Sequence, residues 1–182
     1  MIDPGYFDCE IENYIRQNGK INYILLTHGH FDHINGIKKI LNLYPTVKIY
    51  ALDKEIRLIN DDYLNGSELF TGQKINFPLE VIPLQSGKNK LNGVEFNVLS
   101  VPGHTKGSAC YFFKKENVLF SGDTFFLASV GRTDLPTGSE FELESSIHKI
   151  KNYGFKDDLL IYPGHDQSFT FERLLKINPY FH

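Results

Sequence analysis

Between residues 27 and 33 the chain reads Thr27-His28-Gly29-His30-Phe31-Asp32-His33. Three imidazoles and a carboxylate this close would repel one another, or compete for protons, if they only faced water. A divalent cation resolves the conflict, because neutral imidazole and carboxylate are its preferred nitrogen and oxygen ligands. The run follows Ile21-Asn22-Tyr23-Ile24-Leu25-Leu26, which reads as a buried strand. It precedes Ile34, Ile37, Ile40, Leu41 and Tyr44, which recur at helical spacing. The fold must therefore pass from strand to helix in one short polar turn. That turn is a loop on a rigid scaffold, the usual place for catalytic groups.

The same grammar recurs downstream. Val98 to Val101 leads into Pro102-Gly103-His104, Val118 to Phe120 into Ser121-Gly122-Asp123, and Leu160 to Tyr162 into Pro163-Gly164-His165. Each places one ligand-type residue beside a glycine at the end of an apolar strand, which aims side chains at one rim of a sheet. Taken singly, His104, Asp123 and His165 read better as core or strand-end residues. Together with the first cluster they read as ligands. His148 falls in a helical run and reads as surface, and His182 is terminal.

Elsewhere the pattern predicts an ending strand at Met1–Asp3 and a helix around Ile11, Tyr14 and Ile15 closed by Asn18-Gly19. It continues with a strand over 47–51 and a short helix over 53–59 with Asp53 as N-cap. Residues 60–75 read as a loop or flap, in which Tyr63 and Phe70 are candidates to cover a substrate. Asn92-Gly93 signals a hairpin before Val94. A second hairpin spans 108–120, a helix 141–153, a strand 159–162 and a last helix 171–176. One domain over residues 1–182 is expected, with sheets and helices packed outside them.

The residues quoted resemble, motif by motif, the metallo-β-lactamase-fold hydrolases, and within them the small glyoxalase II-like enzymes. Further likeness lies in Ile2-Asp3-Pro4-Gly5, Thr105-Lys106-Gly107-Ser108, Thr124 and Gly131-Arg132-Thr133-Asp134-Leu135-Pro136. The resemblance implies an α+β, αβ-βα four-layer sandwich: two mixed sheets with helices on the outer faces and two divalent metals at one rim. Zinc is the first expectation, with iron or manganese as alternatives. By carry-over, His28, His30 and His104 would hold one metal and Asp32, His33 and His165 the other. Asp123 would bridge them, and Asp3 would stand behind the ligands. Asp32 would also accept a hydrogen bond from the attacking hydroxide. Phe125 is expected to wall the pocket or simply to pack. Arg132 would either contact substrate or form a structural ion pair with Asp134.

The implied reaction is hydrolysis of a thioester such as S-lactoylglutathione. Longer glyoxalase II enzymes carry a C-terminal glutathione-binding helical domain that is not expected here, and Gly131-Arg132-Thr133-Asp134 replaces their Lys-Phe-Tyr segment. The family normally places two strands before Ile-Asp-Pro-Gly. Their absence would expose a sheet edge and invite a homodimer. Where relatives continue Pro-Gly-His-Gly, this chain has Asp166, as do the persulfide dioxygenases. A mononuclear iron persulfide dioxygenase is therefore the alternative enzyme, and an inactive metal-binding interaction module the alternative of another class. Composition narrows the partners. A net charge of −3 gathers no nucleic acid, and no apolar run nears the roughly 18 residues of a membrane span. With two distant cysteines, Cys9 and Cys110, and no signal peptide, a cytoplasmic chain acting on a small molecule is expected.

Overall fold

Strand β1 (Tyr23–Leu25) turns Ile24 to one face and Leu25 to the other, and both are buried. A strand buried on both sides needs cover on each, which sets the layering of the molecule. In the computed structural model, which describes residues 1–74 and 79–182, β1 pairs in parallel with β2 (Lys48–Leu52), and β2 with β3 (Val81–Leu84). Parallel neighbours require crossover segments. Helices α2 (Phe31–Ile34) and α3 (Ile37–Leu43) make the first, and α4 (Ile56–Ile59) and α5 (Ser67–Thr71) lie in the second. Helix α1 (Cys9–Asn18) precedes β1; Asp8 caps its first turn and Gly19 ends it.

The larger sheet runs in sequence order through β4 (Gly87–Leu91), β5 (Val94–Ser100), β6 (Ala109–Phe113), β7 (Val118–Gly122), β8 (Leu160–Pro163) and β9 (Phe169–Thr170). Its pairings are antiparallel except β7–β8, whose crossover contains α6 (Glu140–Lys151). The period-two alternation of these strands separates three cores. Leu25 and Leu52 face Phe96, Val98, Ala109 and Tyr111 between the sheets. Ile24, Ile49 and Ala51 face Ile37 and Ile40 of α3 on one outside. Leu99, Cys110 and Leu119 face Leu143, Ile147 and Ile150 of α6, and Leu174 of α7 (Phe171–Ile177), on the other. Helix, sheet, sheet, helix is the four-layer order expected.

The details differ from the sequence reading in four places. Mixed pairing holds for the larger sheet only; the smaller is parallel throughout its described pairs. The helix after the histidine run is broken at Asn35–Gly36, because the Gly36 N–H donates to the Pro4 carbonyl (2.8 Å) and the chain passes too close there for a side chain. Asp53 is not an N-cap: it opens a 3₁₀ turn, Asp53–Glu55, that has no side-chain cap. Helix α5 sits inside the stretch read as a loop, whose last residue, Ile75, lies outside the described residues. The edge of β1 is lined by Met1–Asp3, with Ile2 bridging Leu25. Among the described residues no helix is long and apolar enough to cross a membrane.

Cys9 is exposed and Cys110 fully buried, where the loss of hydration pushes its thiol up to about 12. Cys110 therefore packs as a small hydrophobe and is no nucleophile. A thiol-reactive dye is expected to titrate one cysteine in the native chain and two after denaturation. Two fast-reacting native thiols would contradict this packing.

Candidate metal centre

The sequence motifs all sit at carboxyl ends of strands. His28 follows β1, His104 follows β5, Asp123 directly follows β7, and His165 comes two residues after β8. The two sheets are tied at this end: the Tyr111 hydroxyl donates to the Leu26 carbonyl (2.7 Å), and the Ala109 N–H to that of Thr27 (2.8 Å). The loop from β1 is thus held against the larger sheet that supplies the other residues.

All seven sequence-predicted ligands converge. His30 Nδ1 lies 2.9 Å from His104 Nε2, which lies 3.3 Å from His28 Nε2. In a second group, His165 Nε2 is 3.1 Å and His33 Nε2 4.0 Å from Asp32 Oδ2. Asp123 stands between them, with Oδ1 3.4 Å from His33 Nε2 and Oδ2 3.5 Å from His165 Nε2 and 3.8 Å from His104 Nε2. In each triad the ligand atoms lie within 4.8 Å of one another.

Three of the rings, His28, His33 and His104, are anchored at their other nitrogen, which fixes which one points inward. His104 Nδ1 faces the Arg132 carbonyl (2.8 Å). His28 Nδ1 meets Thr27 Oγ1 (3.1 Å), which donates to Asp3 Oδ2 (2.5 Å). His33 Nδ1 faces the same Asp3 oxygen (3.1 Å), while Asp3 Oδ1 accepts the Thr27 N–H (2.7 Å). Asp3 thus lies behind His33 and beside Thr27, in the left-handed region (φ 42°). The backbone makes room: a Cβ on Gly164 would lie 2.1 Å from Asp123 Oδ1 and 2.6 Å from His33 Cε1.

Charge and hydration favour a cation here. Burial, then the neighbouring rings, drives His28 well below its ordinary pKa and His30 down to about 3; burial also lowers His104. These three rings are neutral at pH 7 and offer lone pairs. Burial opposes charge on His33 too, but Asp123 and Asp3 outweigh it and push it up to about 10, so a cation bound there must displace the proton of this ring. Asp123 is held ionised, because His165 and His33 overcome its own burial. His33 Nε2 and Asp123 Oδ1 are buried 3.4 Å apart, and neither makes a well-formed hydrogen bond. Unpaired buried polar atoms are costly, and a bound cation satisfies both. The donor set of five imidazoles and two carboxylates fits a divalent transition metal.

A cleft of about 280 Å³ opens on these residues, lined also by Phe31, Asn65, Phe70, Arg132 and Leu135. The Phe31 and Phe70 rings stack at 6.1 Å, and the Arg132 guanidinium sits 5.7 Å above Phe70. Arg132 forms the expected ion pair with Asp134, at 2.7 and 2.8 Å, and also lines the cleft. For Phe125 the pocket-wall expectation is corrected and the packing one holds. It is fully buried, edge-on to Phe181 at 5.2 Å, because the turn after Asp123 bridges Phe125 to Val130 and rotates the ring into the outer core. The wall expected there is made by Phe31 and Phe70. Of the two flap aromatics, Phe70 lines the cleft and Tyr63 does not. Asp166 is exposed and belongs to neither ligand group.

A model of the family described as Metallo-beta-lactamase superfamily matches residues 1–165. The chain belongs to the metallo-beta-lactamase superfamily. Within it, the chain is similar to "Probable metallo-hydrolase MJ0888" of Methanocaldococcus jannaschii, 38% identical over 92% of this chain and 82% of that protein. It is 31% identical to a hydroxyacylglutathione hydrolase of Francisella tularensis over 91% of its own length but 58% of the relative's. Among solved structures it resembles the BLEG-1 B3 metallo-beta-lactamase (TM-score 0.90, 33% identity, 99% of this chain and 87% of that one). It also resembles TTHA1623 in a di-iron-bound form (TM-score 0.85, 30% identity, 98% and 87%).

Sequence reasoning about this superfamily member missed Asn65, which is buried and lines the cleft, and a buried carboxylate behind the ligand loops. Glu55 is 1% exposed and reaches both ligand loops. Its text, Asp53-Lys54-Glu55, is that of any solvated turn, and nothing in it marks the third residue as buried.

Proposed function

We propose that the chain is a metal-dependent hydrolase that cleaves a 2-hydroxyacyl thioester at a centre of two divalent cations. In this reading His28, His30 and His104 hold one cation, Asp32, His33 and His165 the other, and Asp123 both. The observation that carries it is the position of Asp123, within 4 Å of a nitrogen from each group. The di-iron form of TTHA1623, a structure similar over nearly the whole chain, supports a count of two. Zinc, iron and manganese all suit the donor set.

Bound there, a cation pair supplies Lewis acidity for the carbonyl oxygen and brings the ionisation of water towards roughly pH 7. The protein's own groups do the rest. Asp32, partly exposed in the second triad, would accept a hydrogen bond from the attacking water with the carboxylate oxygen not used as a ligand, and orient it. Phe31, Phe70 and Leu135 exclude bulk water from the acyl group, and Arg132 offers positive charge at the rim to an anionic thiol carrier. The cleft favours a thioester for a specific reason. Once the ligands are assigned, its remaining lining is Phe31, Asn65, Phe70, Arg132 and Leu135. None is a proton donor with a pKa near neutrality, so the best leaving group is one that departs without a proton, a thiolate.

The test is thiol release from S-lactoylglutathione by protein loaded separately with zinc, manganese or iron. Turnover in at least one form is expected. A folded protein inactive in all three forms overturns the reading. Oxygen uptake with glutathione persulfide by the iron form alone would establish the dioxygenase instead, and opening of a chromogenic cephalosporin a lactamase. An inactive chain whose oligomeric state rises with concentration would point to an interaction module.

A further inference from the structure

The 3₁₀ turn Asp53–Glu55 lies between β2 and α4, twenty or more residues from any of the ligands. Its last side chain nonetheless ends between two of the ligand loops. Glu55 Oε1 accepts the N–H of Gly29 (2.9 Å), the residue between His28 and His30. Glu55 Oε2 accepts the Thr105 hydroxyl (2.9 Å) and the Gly107 N–H (2.8 Å), both in the loop that carries His104. Thr105 is itself fixed, with its Oγ1 2.7 Å from Ser108 Oγ and its N–H donating to that same oxygen (3.1 Å). One carboxylate therefore joins two loops that lie 74 residues apart along the chain at His30 and His104.

Packing repeats the message. A Cβ on Gly29 would lie 2.5 Å from Ile59 Cγ1 and 2.9 Å from Leu58 Cδ2. One on Gly107 would lie 2.5 Å from the Glu55 backbone nitrogen. Both loops are thus pressed onto the segment 53–59 at positions where only glycine fits. A buried carboxylate met by neutral donors is expensive to desolvate. Burial pushes Glu55 up to about 7 although all three donors pull it down. A core residue that only filled the space would avoid that penalty but leave two backbone N–H groups unpaired.

We propose that Glu55 is a positioning residue: it holds His104 at its distance from His28 and His30, and so sets the metal affinity of the three-histidine site. The inference rests on the two-site reading above. Glutamine cannot replace it. Glutamine has one accepting and one donating end, and whichever way it turns, its NH₂ faces an N–H of one loop.

The experiment is zinc titration against a chromogenic chelator, in backgrounds that isolate each site. In H165A, which retains the three-histidine group, E55Q is expected to weaken zinc binding by roughly 10–100-fold, the usual effect of losing a partner that orients a ligand. In H30A, which retains the Asp32 group, E55Q is expected to leave affinity unchanged. A merely structural role would lower thermal stability and spare the three-histidine affinity, or weaken both sites equally, and either result overturns the proposal. Should E55Q fail to fold, T105V and T105S report on the same bridge. The serine keeps the hydroxyl and should bind zinc like the parent, the valine more weakly, and equal affinities would overturn the proposal. A parent chain that binds fewer than two ions would instead overturn the two-site reading, an outcome read before any variant is made.

Discussion

Asp123→Ala is expected to lose bound metal and hydrolytic activity together. The carboxylate reaches towards His33 Nε2 at 3.4 Å with one oxygen and towards His165 and His104 with the other. Asp3 also lies within 4.8 Å of a ring from each group, but its oxygens are taken up by Thr27 and His33 Nδ1. Removing a residue that merely orients a metal ligand typically costs 10–100-fold in affinity or activity. Removing a ligand common to both sites should exceed the upper figure, about 100-fold in kcat/KM. Asp123→Asn separates charge from shape. It fills the same space and can accept hydrogen bonds, but it cannot neutralise two cations, so it should behave nearly as badly as alanine. The measurement is metal content after gel filtration, alongside thioester turnover. Two ions retained per chain in either variant would exclude Asp123 as the shared ligand.

Phe125→Ala is expected to destabilise the fold by about 3–5 kcal/mol, the range for truncating a large buried aromatic. A domain of ordinary stability has only about 5–15 kcal/mol to lose. The ring is fully buried, packs edge-on to Phe181 in the core beneath α6 and α7, and does not line the cleft. Its loss should lower the denaturation midpoint markedly while the folded fraction keeps its KM. Phe70→Ala should do the opposite. Phe70 is half exposed and lines the cleft under Arg132, so KM should rise with little change in stability. A raised KM with unaltered stability in Phe125→Ala would return that residue to the pocket wall.

The two aromatics show where a linear reading stops. Both sit in apolar or weakly patterned text near a motif, and nothing local separates them. Phe125 turns inward because a bridge to Val130 closes the turn after Asp123. Phe70 turns outward on a short helix whose start at Gly66 requires a left-handed backbone (φ 77°). The broken helix at Asn35–Gly36 has the same origin. Its helical spacing is intact in sequence, but Pro4, thirty-two residues before Gly36, takes the hydrogen bond.

The ligands were legible for the opposite reason. His28, His104, Asp123 and His165 each follow an apolar strand, and strand-end placement is a local property set by alternation and by a neighbouring glycine. Periodicity and residue chemistry therefore name the seven side chains and the kind of ion they suit. They do not say that Asp123 falls between two groups, that Asp3 lies behind His33, or that Glu55 ties Gly29 to Gly107. Those relations join segments tens of residues apart, and they exist only once two sheets have closed on a shared core. Distance in space is fixed there by packing at van der Waals contact, for which spacing along the chain carries no counterpart.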